Sequence, residues 1–321
     1  MPWLIYSVMF CAAIWLMHKS GEWVIGSLMR LSKALGIREF VVGFFVMASA
    51  SSLPNLFLGL TSASRGVPEL SLGDVFGNNF VAMTLAVIVA IIFAQKKEIE
   101  TGGQTIQTTA IFTMCAALLP IVLIFDGVLS RSDGLILFAL FFIYVFWLLK
   151  KQGLFTKVYN HVTPGVSPVN KIRHGIKDIF MVTLGLVMLV GASIGIVLSA
   201  TFFAESLGVP ILLVGLLVTG LGNALPEIYF AVASSKKRET QMIIGNLMGS
   251  VIFPATLVLG IVSFIHPIHV ANFQFALSSR IFLLIAAILF FSFTKSKAKI
   301  SLGEGSILLA LYVAFVAFII F

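Results

Sequence analysis

Ten apolar runs, most of about 17 to 25 residues, dominate this sequence, and a run of that length is what a helix needs to cross a hydrocarbon core about 30 Å thick. With 59% hydrophobic and 11% charged residues, the chain has far more apolar surface than one soluble core can hide. It reads as an all-α integral membrane protein, because the short alternating segments of a β-barrel are absent from the sequence. The expected helices cover about 3–33, 39–65, 70–94, 107–125, 133–150, 175–204, 209–235, 240–265, 278–293 and 303–320. The opening MPWLIYSVMFCAAIWLMHKSGEW has no basic leader and no small-residue cleavage pattern, so a retained first helix is expected. His18, Lys19 and Glu22 interrupt that helix. One long tilted helix carrying a Lys19/Glu22 pair is expected, with a short span followed by an interfacial helix as the alternative.

Charge supplies the topology. With ten spans, Arg30, Lys33, Arg38, Lys96, Lys97, Lys150, Lys151, Lys157, Lys171, Arg173, Lys177, Lys236, Lys237, Arg238, Lys295, Lys297 and Lys299 fall on one side, and only Arg65, Arg131 and Arg280 on the other. The positive-inside rule makes the first side cytoplasmic and puts both termini outside. These basic residues sit in short clusters between apolar runs, so the net charge of +8 reflects topology and not a nucleic-acid partner. Residues 151–174 read as a cytoplasmic linker, too short for a regulatory domain, between five-helix halves at 1–150 and 175–321. Cys11 and Cys115 lie in apolar segments without metal-ligand spacing and are expected as buried thiols.

An internal repeat sets the architecture. Residues 35–87 align without a gap on residues 207–259 at a constant offset of 172. LGIREFVVGFFVMASASSLPN lies over LGVPILLVGLLVTGLGNALPE, and LGDVFGNNFVAMTL over IGNLMGSVIFPATL. Gly43/Gly215, Pro54/Pro226, Gly73/Gly245 and Gly77/Gly249 all coincide. Because each half holds an odd number of helices, the copies must enter the membrane in opposite directions. Inverted-topology repeats of this kind build many secondary transporters.

Pro54 and Pro226 each deny a helix one backbone donor, so both spans are expected to break or kink near their middle. At bilayer depth a freed carbonyl is tolerated only where it is buried in protein or lines a wet cavity. Around the breaks stand hard oxygen ligands: Ser49, Ser51, Ser52 and Asn55 in one copy, Thr219, Asn223 and Glu227 in the other. Such a set, with no His or Cys nearby, suits sodium or calcium and argues against zinc or copper. Glu227 is the sharpest signal, since an acid inside a membrane is costly and functional by default. In the following helices Gly73, Gly77, Gly245 and Gly249 read as packing positions. Asn78 and Ser250, at matched places one turn after Asp74 and Asn246, read as ligands. The bland alternative for the breaks, a proline kink with hydroxyls bonding back to the previous turn, does not account for two breaks at matched places.

At these residues the sequence resembles the cation/calcium exchanger superfamily, whose two α-repeats carry phrases of the form G-T-S-L-P-E, then G-N-x-x-G-S-N about twenty residues later. The resemblance covers both repeats. It implies that helices 2, 3, 7 and 8 enclose the ions while the long helices 1 and 6 slide across them. By position it makes Glu227 a calcium and sodium ligand, Ser51 and Ser52 the first hydroxyl pair, Ser250 the serine of the second glycine motif and Asn79 the asparagine of the first. The departures are substantial. Asn55 stands where the first acid belongs, Asn223 and Ala224 replace the second hydroxyl pair, and Asn78 replaces a serine. Ala82 and Pro254 occupy places usually held by Asn or Asp, and "GNA" before Glu227 is similar to the proton-coupled branch. One carboxylate leaves about one positive charge of a divalent ion uncompensated, at a cost of several kcal/mol. Asp74 either supplies the missing charge or is an acid at a helix start near the interface, favoured by the helix dipole.

The expected function is secondary active cation antiport at the cell membrane, with Ca2+ and Na+ as transported ions, inorganic cations and lipid as partners, and neither cofactor, nucleic acid nor obligate protein partner. A proton/calcium or monovalent-cation exchanger on the same fold is the alternative. An intramembrane enzyme or a non-transporting binding protein is more remote, because His266 and His269 fall in an expected outside loop.

Overall fold

The computed structural model describes residues 2–34, 52–150, 168–236, 240–270 and 273–320. Ser49, Ser51 and the part of the expected second helix before Ser52 lie outside them, as does most of the expected 151–174 linker. The described chain is helical apart from short connections, and the helices are numbered here by span. They are α1 (Pro2–Ala34), α2 (Ser52–Ser64), α3 (Pro68–Met83 continued by Leu85–Phe93), α4 (Gln104–Leu123), α5 (Arg131–Lys150) and α6 (Pro168–Leu207). The remainder are α7 (Ile211–Val214, Gly215–Thr219 and Gly220–Lys236), α8 (Thr240–Phe253, Pro254–Val258 and Leu259–Ile265), α9 (Phe273–Lys295) and α10 (Leu302–Ile320). Among the described residues, nine of these are long and apolar enough to cross a membrane; α2 is the tenth expected span. The protein is thus a multi-pass membrane protein of the expected all-α class.

Local chemistry explains the ends. α5 and α10 begin with matched capping boxes: Ser130 N–H donates to Asp133 (2.8 Å) and Ser301 N–H to Glu304 (2.7 Å), with each serine hydroxyl facing the acid's backbone N–H in return. Pro68 and Pro168 open α3 and α6, where the missing N–H is one that a helix start leaves unpaired in any case. The last residues of the expected linker are therefore helical. α1 forms one continuous helix, and Lys19 Nζ lies 2.8 Å from Glu22 Oε2, so the short-span alternative is not what forms.

Two departures from the sequence reading stand out. α7 passes Pro226 as an ordinary helix; its irregularity is a π segment at Gly215–Thr219, upstream of the proline. Cys11 and Cys115 are exposed on the outer helix surface and not buried. An apolar helix in a membrane faces lipid on one side, so an apolar neighbourhood in sequence does not decide burial.

α3 and α8 form the centre: 83% and 72% of their spans are buried, against 22% for α10. α1 and α6 lie along one another at the periphery. Trp3 and Tyr6 stack with Phe203 and Phe202 near one end, and Arg30 forms a 2.7 Å ion pair with Asp178 near the other. The inverted repeat is visible in the contacts. One two-stranded ribbon, β1 (Glu98–Glu100) with β4 (Lys299–Ser301), ties the α3–α4 loop to the α9–α10 loop. A second, β2 (Val128–Leu129) with β3 (Ile268–His269), ties the α4–α5 loop to the α8–α9 loop. Exchange the halves and each ribbon takes the other's place. Neither ribbon is anticipated by the sequence.

Candidate ion-binding site

Asn78 and Ser250 are repeat counterparts, 172 residues apart, and Asn78 Nδ2 donates to the Ser250 carbonyl at 3.1 Å. Residues related by a two-fold operation can touch only close to its axis, so this bond marks the pseudo-symmetry centre of the bundle. Nearly two turns further on, Thr84 and Thr256 are also counterparts. Each hydroxyl donates to the carbonyl four residues back, Phe80 and Ile252 respectively. There α3 breaks, with Thr84 at φ −123°, ψ −82°, while α8 widens into a π turn over Pro254–Val258. Threonine hydroxyls bonding back along a helix commonly bend it, so each repeat is deformed at the same place.

α3 meets α7 at backbone contact. A Cβ on Gly73 would sit 2.1 Å from the Leu212 carbonyl oxygen, one on Gly77 2.0 Å from that of Leu216, and one on Gly220 2.7 Å from Gly77 Cα. Only glycine permits this approach, and the packing role read for Gly73 and Gly77 holds; at Gly245 and Gly249 nothing among the described residues comes within 4 Å of an added Cβ. It brings Asp74 of α3 against Asn223 of α7, whose Nδ2 donates to Asp74 Oδ1 at 2.8 Å. Asp74 is 1% exposed and lies in the second turn of α3, inside the bundle and not at an interfacial helix start. Glu227 is 3% exposed, one turn after Asn223 on the same helix.

The hydrogen-bond ledger of the buried polar side chains on α2, α3 and α7 is lopsided. Asn78 and Asn223 each spend an amide N–H on the protein and keep a carbonyl oxygen without a partner; Asp74 Oδ2, Glu227 Oε2, Ser52 Oγ and both amide atoms of Asn79 also lack one. Buried polar groups are normally satisfied, so such a group of unsatisfied atoms, nearly all of them acceptors, is the expected face of a site for a hard cation. Thr219 donates to Gly215 within its own π turn, and Ser250 to Leu247; their oxygens retain acceptor capacity. Asn55 is buried on α2, one turn before Gly59, which packs on Ser71, Val258 and Val262. No group of three or more His, Cys, Asp or Glu able to hold a metal occurs among the described residues, and His266 and His269 are exposed in the α8–α9 connection.

Two residues escaped the sequence reading. Ser71, one turn before Asp74, is buried with its hydroxyl unpartnered; its spacing from Asp74 was the available signal. His18 of α1 places Nε2 3.4 Å from the Gly222 carbonyl, the very group that Pro226 leaves without its helical donor. A Cβ on Gly222 would meet Ile14 at 2.5 Å, so α1 closes over the proline position from outside. This arrangement explains why α7 need not break there.

A family model described as "Sodium/calcium exchanger protein" matches residues 5–150 and 177–321. The chain is 25% identical to a membrane protein of Methanocaldococcus jannaschii over 96% of both chains. It is 24% identical to the sodium/calcium exchanger MaX1 of Methanosarcina acetivorans, over 92% of this chain and 93% of that one, and 25% identical to the inner membrane protein YrbG of Escherichia coli over 80% and 79%. Solved structures of the sodium-calcium exchanger NCX_Mj superpose over 98% of both chains with a TM-score of 0.63 at 22% identity, a likeness of fold.

Proposed function

Because the chain belongs to the sodium/calcium exchanger protein family, we propose that it exchanges sodium for calcium across the cell membrane by alternating access, binding both ions in the polar cluster at the α3/α7 crossing. A transporter and not an enzyme, it needs from its site only reversible ion binding that is reachable from either side in turn. The observation that carries the proposal is the set of unsatisfied buried oxygens on α3 and α7, supplied by Glu227, Asp74, Asn78, Asn79 and Asn223. Ser52, Asn55, Ser250 and, outside the described residues, Ser51 complete the proposed donor set. Carboxylate, amide and hydroxyl oxygens suit Ca2+ and Na+ alike, and the number of charges engaged decides between them.

The halves at 1–150 and 175–321 act as the two inverted repeats, joined on the cytoplasmic side, with both termini outside. In this scheme the α1/α6 pair moves against the bundle that holds the ions. Among the described residues, two polar contacts join the pair to that bundle, Thr61 with Ser193 at 2.6 Å and His18 with Gly222. The test is uptake of labelled calcium into vesicles carrying the purified protein, driven by an outward sodium gradient. Uptake above background that collapses with the gradient is expected. No uptake by folded protein refutes sodium-driven calcium exchange, and uptake driven equally by a pH gradient assigns the coupling to protons.

A further inference from the structure

The two repeats carry the same charge in different places. Asn55 of α2 and Glu227 of α7 are counterparts at the repeat offset, and so are Asp74 of α3 and Asn246 of α8. Each copy therefore contributes one acid and one amide at this pair of positions, with the two exchanged between helices. In the second copy the acid sits on the first helix of the pair, and in the first copy on the second. We propose that this exchange is functional: Asp74 is the second ion-neutralising carboxylate, and a divalent ion is held between Asp74 and Glu227 at the α3/α7 crossing, not between α2 and α7. This rests on the exchange reading above and specifies its site.

Three observations carry it. First, Asp74 is buried and presents one oxygen unpartnered while Asn223 holds the other. A carboxylate kept only for packing gains nothing from an unsatisfied oxygen in a low-dielectric interior. Second, Asn223, which bonds Asp74, stands on α7 one turn before Glu227, so Glu227 rises from the same stretch of α7 that meets α3. Two carboxylates facing each other without a cation repel, whereas a divalent cation between them neutralises both. Third, Asn223 spends its N–H on Asp74, and its own unpartnered oxygen belongs to the same group. The glycine contacts of Gly73 and Gly77 fix α3 against α7 on either side of Asp74, which gives the pair a defined separation.

The experiment is a calcium titration of the full-length protein, read as the midpoint of calcium-dependent thermal stabilisation, with sodium titrated in parallel. Asp74→Asn keeps size and hydrogen-bonding capacity and removes only the charge. It is expected to raise the calcium midpoint about a hundredfold or more, with a smaller change for sodium. The double variant Asn55→Glu/Asp74→Asn returns the acid to α2 and is expected to recover at least about tenfold of that loss. A role for Asp74 confined to holding Asn223 predicts no recovery on moving the charge to another helix. A folded Asp74→Asn variant binding calcium within about threefold of the parent overturns the proposal. If Asp74→Asn does not fold, the double variant decides: calcium-dependent stabilisation supports the proposal and its absence overturns it. Should the parent itself show no calcium-dependent stabilisation, the exchange reading fails with it, an outcome distinct from the others.

Discussion

Gly77→Ala tests whether backbone contact between α3 and α7 builds the site. The added Cβ would lie 2.0 Å from the Leu216 carbonyl oxygen and 2.8 Å from its carbon. Ordinary contact begins near 3.4 Å, so the helices must separate by about 1.4 Å along that line. A backbone carbonyl cannot rotate away as a side-chain tip can. Separation on that scale takes the 2.8 Å bond from Asn223 to Asp74 past the range of a hydrogen bond. Overpacking costs about 1–3 kcal/mol, and losing a hydrogen bond to a charged group about 1.5–3 kcal/mol. These are not additive, and a total on the order of 3 kcal/mol leaves the protein folded but with its donor set pulled apart. The expected result is a lower melting temperature together with loss of calcium-dependent stabilisation, and failure of vesicle uptake. Gly191→Ala is the control: in α6, with nothing within 4 Å of its Cβ among the described residues, it should leave both readouts intact. If Gly77→Ala melts like the parent and keeps its full calcium shift, the close crossing is not what positions the site.

Other outcomes follow from the same geometry. Glu227→Gln should abolish calcium-dependent stabilisation and exchange while the ion-free protein melts no lower than the parent, because an unpaired buried carboxylate is removed; retained calcium protection would remove Glu227 from the site. His18→Leu leaves the Gly222 carbonyl without a donor and should destabilise by about 1–3 kcal/mol. In a Pro226→Ala background, where residue 226 supplies its own N–H to that carbonyl, the same substitution should cost clearly less; equal costs in the two backgrounds would deny the link. Lys299 is held above the ordinary lysine range by its hydrogen bond to Glu98. Being raised on folding, it contributes stability that is present below the ordinary lysine value of about 10.4 and lost as pH rises through its higher folded value. Melting curves of the parent and Glu98→Gln should therefore differ near neutral pH and converge as pH rises past the ordinary lysine value.

Span number, helix type and the inverted repeat are legible in the sequence because each follows from a constraint that acts along the chain: apolar length, basic asymmetry, glycine and proline register. The same register points to Asn78, Asn79, Asn223 and Glu227, whose buried side chains keep oxygens without partners, since a polar phrase carried in two copies is written twice. What stays hidden depends on contacts across the chain. The donor answering Pro226 comes from His18, 204 residues away in sequence, so a proline that reads as a break passes inside a helix. The π turn falls instead at Gly215–Thr219, where α7 presses on α3; π turns concentrate at functional sites, yet nothing local in GLLVT announces one. The ribbons join loops from opposite halves and are too short to show a strand pattern. Exposure of Cys11 and Cys115 depends on which helix face meets lipid, and composition alone does not report that.

The two-fold relation holds at several packing and backbone devices and fails at the acids. Ribbons, capping boxes, the Thr84 and Thr256 back-bonds and the axial Asn78–Ser250 contact all repeat or pair across the halves. Each is a packing or backbone device, and packing is unforgiving: a contact changed in one copy alone leaves an unmatched surface or an unpaired carbonyl. The acids obey a looser rule. Coulombic neutralisation depends on the number of charges near the ion and falls off slowly with distance, so a carboxylate can move from α2 to α3 provided it still faces the same volume. Asn55 with Asp74, set against Glu227 with Asn246, is that freedom in use. It also carries a cost that a symmetric pair avoids. With both acids at one crossing, the α2 side of the site is left with neutral oxygens, Ser52 and Asn55, which favour a monovalent ion over a divalent one. Binding of sodium and calcium should then separate across the site, calcium toward α3/α7 and sodium toward α2. Asn55→Ala should weaken sodium-dependent stabilisation more than calcium-dependent stabilisation; the reverse order, read in parallel titrations, would refute that partition.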